Sequence, residues 1–272
     1  MENINQYYKV LTIAGSDSGG CAGIQADIKA ISACGCYAAS AITALTAQNT
    51  VGVQEIHPVP IAFLTQQLES VLSDISFDAI KIGMLHSTEV ILNVKEILLK
   101  YQVKNIVIDP VMVATSGDPL LQSEAIEALK KELLPLATLI TPNLPEASLL
   151  LGKQIKHQEH LIEAATTLGQ ICDTSVLLKA GHFTDDILTD ILFDNNIKQT
   201  YTFKNKRIQT QNTHGTGCSL SSAIASFLAK NQELDTAVQN GINYLHQALE
   251  QGKNYKLGNG HGPIKHFYKF WD

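Results

Sequence analysis

The chain alternates between two kinds of hydrophobic pattern. Short, continuously apolar runs, such as residues 9–15 and 106–110, are typical of strands buried on both faces. Longer segments, such as residues 61–74, repeat apolar side chains every three or four positions, as an amphipathic helix does. This alternation predicts βαβ units, with a parallel sheet and helices on both of its faces.

The individual elements can be placed from the same pattern. We predict strands over residues 9–15, 38–45, 53–57, 79–83, 106–110, 139–142 and 175–179, and a hairpin pair over 187–193 and 199–203. We predict helices over 24–33, 61–74, 89–101, 123–134, 146–151, 161–172, 220–230 and 235–250. Ser123 is the expected N-cap of the fourth helix, and Ile24, Ile28 and Ile31 the inward face of the first. No linker or repeat interrupts the pattern, so residues 1–272 are predicted to form one α/β domain.

Glycines and polar side chains collect where the predicted strands end. These positions are Gly15 to Asp17, Gly83, Met84, Asp109, Thr141 to Glu146, Lys179 and Gly215 to Cys218. In an open parallel sheet, ligands bind beyond the carboxyl ends of the strands. The sequence therefore predicts one functional site at that edge.

The segment from Gly215 to Cys218 leads directly into an apolar, small-residue helix. A glycine-rich turn that opens a helix offers unpaired backbone N–H groups and the positive end of the helix dipole, which together bind anions such as phosphate. This setting also favours thiolate, so Cys218 is a candidate base or nucleophile. The alternative interpretation is a tight turn with a small buried thiol.

Two carboxylates are candidates for a divalent cation. Asp109 ends a strand, and Asn143 and Glu146 lie three residues apart at a helix start, on one face. The alternative for Asp109 is a turn residue before Pro110. The alternative for Asn143 and Glu146 is a capping box at the helix start, and a capping box is compatible with metal binding. Lys179 can neutralise a phosphate, or be an ordinary surface lysine. Together these parts suit Mg²⁺-dependent phosphoryl transfer.

Charge and cysteine content narrow the class of protein. A net charge of −6 and a pI of about 5.8 give no sign of general nucleic-acid binding, so an anionic substrate has to be held by local devices. The five cysteines, an odd number in a chain without a signal peptide, are expected to be reduced thiols in the cytoplasm. No apolar run approaches the length of a membrane span. The sequence contains no P-loop or dinucleotide fingerprint, and its histidines show no zinc-enzyme spacing.

In order along the chain, the motifs resemble those of the hydroxymethylpyrimidine and phosphomethylpyrimidine kinases of thiamine biosynthesis, within the ribokinase-like superfamily. The resemblance runs from about Val10 to Phe267. It rests on residues 14–20, 22–27, 43–50, 81–85, 109–112, 116–121, 141–147, 179–182 and 213–218. The first loop departs from the common pattern at Cys21, which puts its shape in doubt and adds a possible oxidation site. Ala180 replaces a common glycine.

The resemblance implies a three-layer αβα domain with a mostly parallel central sheet, usually a homodimer. It also implies phosphorylation of 4-amino-5-hydroxymethyl-2-methylpyrimidine by ATP, followed by phosphorylation of the monophosphate. Roles carried over by position are substrate binding by Gln48, Gly15, Asp27, Met84 and Val111; ATP binding by Lys179, Thr213 and Asn143; metal binding by Asp109 and Glu146, helped by Asn143; and catalysis by Gly215, Thr216, Gly217 and Cys218. Gln48 is expected to bond the aminopyrimidine edge.

Two other functions stay open at this point. A pyridoxal kinase acts on a similarly flat, methylated heteroaromatic alcohol, but the Gln48 amide, with a donor and an acceptor, suits an aminopyrimidine better. A non-catalytic binding or regulatory domain is the second alternative. The presence of Asp109, Glu146, Gly217 and Cys218 argues against it.

Overall fold

The structure, a computed structural model, describes residues 5–113, 120–122, 124–181, 183 and 185–271. Ser123, His182 and residues 116–119 of the predicted motifs lie outside the described residues. None of the described helices combines the length and the apolar character that crossing a membrane requires.

Within the described part of the chain, nine strands form one sheet. They are β1 (Lys9–Asp17), β2 (Tyr37–Gln48), β3 (Val53–Pro58), β4 (Ala79–Ile82), β5 (Ile106–Ile108), β6 (Leu139–Ile140), β7 (Ser175–Leu178), β8 (Ile187–Asp194) and β9 (Gln199–Lys206). Their order in the sheet is β3-β2-β1-β4-β5-β6-β7-β8-β9. The six strands from β2 to β7 in this order are parallel, while β3, β8 and β9 are antiparallel additions at the two edges. The mostly parallel sheet and the hairpin are confirmed.

Among the residues that the structure describes, eight α-helices connect or flank the strands. They are α1 (Gly23–Ala33), α2 (Ile61–Leu72), α3 (Thr88–Lys100), α4 (Ala125–Ala128), α5 (Leu144–Leu151), α6 (Leu161–Cys172), α7 (Thr216–Ala229) and α8 (Leu234–Gly252). Side chains of β1 alternate between two hydrophobic cores. Leu11 and Ile13 pack with residues of α2 and α3, and Val10 packs with residues of α7 and α8. Helices therefore cover both faces of the sheet, which is the predicted three-layer arrangement.

Three local predictions need correction. The helix predicted over 123–134 is α4 followed by a π-helical turn at Leu129–Leu133 and a 3₁₀ turn at Leu134–Leu136, where Pro135 ends the regular pattern. Ile28 is exposed, since only Ile24 and Ile31 of the predicted face of α1 are buried. Helix α7 begins at Thr216, four residues earlier than predicted, so the glycine turn itself supplies its first residues.

Candidate active site

The loop before α7 and the first loop of the chain touch through their backbones. Gly215, the N-cap of α7, has a φ of 77°, and a Cβ at this position would lie 1.9 Å from the carbonyl oxygen of Cys21. Only glycine tolerates both the positive φ and the close approach of the Cys21 carbonyl oxygen. The N–H groups of Gly217 and Cys218 belong to the first turn of α7, where amides have no intrahelical partner, and α7 has no side-chain cap. This turn is the predicted anion hole.

Asp109, Lys179 and Gly217 meet at the carboxyl edge of the sheet. The Nζ of Lys179, just beyond β7, lies 3.0 Å from Oδ1 of Asp109, just beyond β5. Thr141 Oγ1 donates to the same oxygen at 3.1 Å. A Cβ at Gly217 would lie 3.0 Å from Oδ2 of Asp109 and 3.3 Å from Nζ of Lys179. The start of α7 therefore lies directly against the pair, with no room for a side chain between them.

Asn143 and Glu146 form the capping box at the start of α5. The backbone N–H of Asn143 donates to Glu146 Oε2 at 2.8 Å, and the backbone N–H of Glu146 donates to Asn143 Oδ1 at 2.9 Å. Glu146 is buried. Its burial raises the pKa of the carboxyl to about 7; Lys179 acts in the opposite direction, and the negative charge of Asp109 raises it further. Burial alone would lower the pKa of Lys179, but Asp109 and Glu146 raise it overall.

Cys218 lies in the first turn of α7, half-buried, as its position in the sequence predicted. The expected thiolate is nevertheless wrong. Burial raises the pKa of the Cys218 thiol to about 11; Lys81 lowers it, while Asp27 and Asp109 raise it again. Loss of hydration and two nearby carboxylates thus outweigh the helix dipole and the lysine, and the thiol is neutral at pH 7.

Asp27, which is predicted to line the substrate pocket, has a fully buried side chain that belongs to an internal network. It lies 2.9 Å from Nζ of Lys81, and it accepts hydrogen bonds from Thr12 Oγ1 at 2.6 Å and Ser222 Oγ at 2.8 Å. The network joins α1, β1, β4 and α7 beneath the anion hole. Sequence reasoning missed Lys81, although a lysine within the apolar strand Ala79–Ile82 was a usable signal.

The predicted substrate residues otherwise fall into two groups. Met84 is buried in a small apolar cluster with Val111 packed against it, and a Cβ at Gly15 would lie 3.1 Å from the Met84 sulfur. Gln48, at the end of β2, has its amide nitrogen 2.9 Å from Nε2 of His214. His214 precedes the anion hole and is 6% exposed, and the sequence analysis gave it no role.

Thr213 is half-buried, and its carbonyl oxygen accepts from the Thr216 amide at 3.3 Å. It thus lies one turn before the anion hole, beside His214. The predicted site residues other than Asp27 therefore collect around the carboxyl ends of β1, β2, β4, β5, β6 and β7 and the starts of α5 and α7.

An open α/β sheet with uncapped helix-start amides beside an aspartate and a lysine is the arrangement of a phosphotransferase of the ribokinase-like class. Comparison with known proteins gives the family. The profile of the phosphomethylpyrimidine kinase family matches residues 17–265. The chain is 44% identical over 272 residues to the hydroxymethylpyrimidine/phosphomethylpyrimidine kinase of Escherichia coli, with 100% of both chains covered. The chain belongs to the phosphomethylpyrimidine kinase family.

Two other similarities bear on its function. The chain is 47% identical over 257 residues to the thiamine biosynthesis bifunctional protein ThiED of Geobacter sulfurreducens; the match covers 94% of this chain and 52% of the relative, so the chain spans about half of that protein's length. An ADP complex of Bacillus subtilis pyridoxal kinase superimposes with a TM-score of 0.89 at 33% identity, covering 98% of this chain and 100% of the other. Fold similarity therefore extends to kinases that act on vitamin B6.

Proposed function

We propose that this chain transfers the γ-phosphoryl group of ATP to the hydroxymethyl group of 4-amino-5-hydroxymethyl-2-methylpyrimidine, and then adds a second phosphate to the monophosphate. The observation that carries the proposal is the position of Gly217, where an added Cβ would touch both Asp109 and Lys179. It brings first-turn amides, a carboxylate and a cation together at one point. Family membership supplies the substrate class.

For ATP, we assign Lys179 to the transferred phosphoryl group, with Thr213 and Asn143 beside the nucleotide. A charged lysine fits this role, since Asp109 and Glu146 raise its pKa. The N–H groups of Gly217 and Cys218 would stabilise the charge on the equatorial phosphoryl oxygens in the transition state. Similarity to a kinase solved as an ADP complex supports ATP as co-substrate.

Mg²⁺ fits the donor set that faces this point. The negative charge of Asp109 raises the pKa of Glu146, and a divalent cation beside both carboxylates would relieve that repulsion. Both are oxygen ligands, which magnesium prefers. When bound, Mg²⁺ supplies charge neutralisation for the phosphates. Asp109 and Glu146 would hold it, while the Asn143 capping box keeps the Glu146 carboxylate in place.

The substrate hydroxyl must lose its proton during transfer. Because the Cys218 thiol is neutral at pH 7, it is a poor proton acceptor at the start of the reaction. A loose transition state needs little nucleophile activation, so the amides of the anion hole and Lys179 carry most of the catalysis. Cys218 then lies beside the acceptor oxygen mainly as a space-filling group, the alternative that the sequence left open.

For the pyrimidine ring, we assign Gln48 to the amino edge and the Gly15–Met84–Val111 group to the apolar face. Hydrogen bonds to Thr46 and His214 fix the orientation of the Gln48 side-chain amide. A pocket built for such hydrogen bonds discriminates against rings that leave them unmade.

ATP consumption with hydroxymethylpyrimidine, its monophosphate and pyridoxal as acceptors tests the proposed function. We expect kcat/KM for hydroxymethylpyrimidine to exceed that for pyridoxal, and activity to require Mg²⁺. Asp109→Ala and Glu146→Ala should keep the fold and lose most of kcat. Equal or better turnover of pyridoxal would make this a vitamin B6 kinase. Full activity of Glu146→Ala at saturating Mg²⁺ would leave Glu146 as a helix cap only.

A homodimer and a cytoplasmic location complete the proposal. The dimer rests on the family resemblance, and light scattering during size-exclusion chromatography measures it directly. The location rests on the five cysteines, all of which are unpaired, as expected in a reducing compartment.

A further inference from the structure

Three side chains of metal-binding type converge beside the proposed substrate pocket. Ligand atoms of Asp17, Cys21 and His214 all lie within 4.8 Å of one another, the one such group of three among the described residues. Asp17 ends β1, Cys21 lies in the first loop that follows it, and His214 lies in the loop before α7. All three are buried, at 3%, 0% and 6% exposure. Because the ligands are 193 positions apart in the chain (residues 21 and 214), no local spacing could reveal the group.

His214 provides a second, independent observation. Its Nδ1 is buried and has no hydrogen-bond partner among the described residues. The other ring nitrogen, Nε2, lies 2.9 Å from the Gln48 amide. Buried polar atoms in proteins are almost always satisfied, so an orphan in this position points to a missing ligand.

One arrangement of the surrounding hydrogen bonds leaves a free lone pair on Nδ1. Thr46 Oγ1 lies 3.0 Å from the carbonyl oxygen of Ser16 and 3.0 Å from the Gln48 side-chain amide. A hydroxyl has one proton. In the structure the Gln48 carbonyl oxygen faces Thr46 and its NH₂ faces His214. If the Thr46 proton goes to Ser16 instead, the amide turns over, with NH₂ toward Thr46 and C=O toward His214, since amide orientation follows the network. Nε2 of His214 then donates, and Nδ1 is the unprotonated nitrogen that binds metals.

The first loop is already held in a suitable shape. Asp17 Oδ1 accepts from the Gly19 amide at 2.8 Å, and Oδ2 from the amides of Cys21 and Ala22 at 2.9 and 2.8 Å. These bonds fix the carboxylate and leave lone pairs on it. The Cys21 thiol has only a weak contact, 3.7 Å to the Gly19 carbonyl oxygen. Small side-chain rotations suffice for binding, since tetrahedral zinc needs ligand atoms about 3.3–3.6 Å apart.

We propose that Asp17, Cys21 and His214 form a binding site for a thiophilic divalent cation of the Zn²⁺ class, with a fourth position open to water or a small ligand. A thiolate and an imidazole select Zn²⁺ or Co²⁺ over Mg²⁺, which requires oxygen ligands. The bound ion replaces the thiol proton of Cys21, which is released to solvent. It would join the first loop to the loop that begins the anion hole, where Cys21 already contacts Gly215.

Co²⁺ titration of the purified full chain tests the site without reference to kinase activity. We expect one Co²⁺ per chain, with a thiolate-to-cobalt charge-transfer band that stoichiometric Zn²⁺ removes and a large excess of Mg²⁺ does not. Cys21→Ala should abolish the band and weaken binding at least about 100-fold, the upper end of what even outer-shell changes cost. Cys172→Ala is the matched control. Cys172 is also a buried thiol, but it lies in α6 and packs in a hydrophobic core that does not include Cys21.

A melting curve without metal establishes that each variant folds. If Cys21→Ala fails to fold, His214→Asn tests the same prediction by removing the imidazole. Unchanged Co²⁺ affinity in either folded variant, or Co²⁺ binding without a charge-transfer band, would overturn the proposal. Failure here leaves the proposed kinase function untouched, since none of these measurements uses turnover.

Discussion

Lys81 Nζ lies 2.9 Å from Oδ1 of Asp27, and neither side chain has any exposed surface. Two buried charges are costly to desolvate unless each has its partners. Asp27 meets this condition, because Thr12 and Ser222 donate to it as well. Burial alone would lower the pKa of Lys81, but Asp27 raises it overall, so the lysine is charged. The pair connects β4 to α1, and through Ser222 to α7.

Removing one member of this pair should destabilise the whole domain. Lys81→Met leaves the Asp27 charge unpaired in the core, and we expect a loss of about 3–5 kcal/mol in the free energy of unfolding, measured by urea denaturation. The double variant Asp27→Asn/Lys81→Met removes both charges and keeps an acceptor for one hydroxyl, while its NH₂ group can donate to the other, so it should recover part of that loss. A loss below about 1 kcal/mol for Lys81→Met would show that the pair contributes little.

Gly217→Ala should impair catalysis without unfolding the protein. The added methyl group would lie 3.0 Å from Asp109 Oδ2 and 3.3 Å from Lys179 Nζ, and so would displace both groups from the first-turn amides. We expect kcat to fall by about 10²–10³, as for the loss of one transition-state hydrogen-bond donor. The melting temperature should stay near that of the wild type, since alanine is a better helix former than glycine. Near-normal kcat would remove Gly217 from the anion hole.

Cys218 should react as a high-pKa thiol. With a pKa of about 11, only about one molecule in 10⁴ carries thiolate at pH 7. The alkylation rate of Cys218, followed by peptide mass spectrometry, should rise about tenfold per pH unit from pH 7 to 10 without a plateau, whereas an ordinary thiol levels off near pH 9.

Because a neutral thiol is a poor base, the Cys218→Ala variant should keep most of its catalytic activity. Its kcat should fall by less than about tenfold, below the 10²–10⁴ range of general-base catalysis. A loss within that range, with substrate binding retained, would restore Cys218 as the base. Cys218→Ser serves as the alkylation control.

His266 should make stability depend on pH in the acidic range. The ring is buried with Nε2 2.9 Å from Ser219 Oγ, and burial lowers its pKa to about 4. Between pH 6.5 and 4 the unfolded chain binds a proton at this residue and the folded chain does not, so stability falls as the pH falls through that window. At pH 5 the loss relative to pH 7.5 should be about 2 kcal/mol from this residue.

Urea denaturation at the two pH values measures this loss. His266→Gln should reduce the difference between pH 7.5 and pH 5 by the amount given above, while retaining a hydrogen-bonding side chain beside Ser219. An unchanged pH dependence in the variant would assign the effect to other groups.

The sequence by itself determined the elements and the edge of the sheet at which the site lies. Runs such as Ile106–Ile108 are apolar on both faces, so they fit only a covered, parallel sheet, and Asp109 and Lys179 follow such runs directly. The capping box of Asn143 and Glu146 was also readable, because its spacing is local.

Only the tertiary structure decided what surrounds each of these groups. Asp27 and Ile28 are neighbours on α1, yet the first is fully buried against Lys81 and the second is exposed. The pKa of Cys218 depends on burial and on Asp27 and Asp109, charges that come from distant parts of the chain. The approach of His214 to Asp17 and Cys21 likewise depends on how two loops pack. Burial and through-space charge depend on the three-dimensional packing of the chain, whereas strand, helix and cap patterns depend on residues a few positions apart.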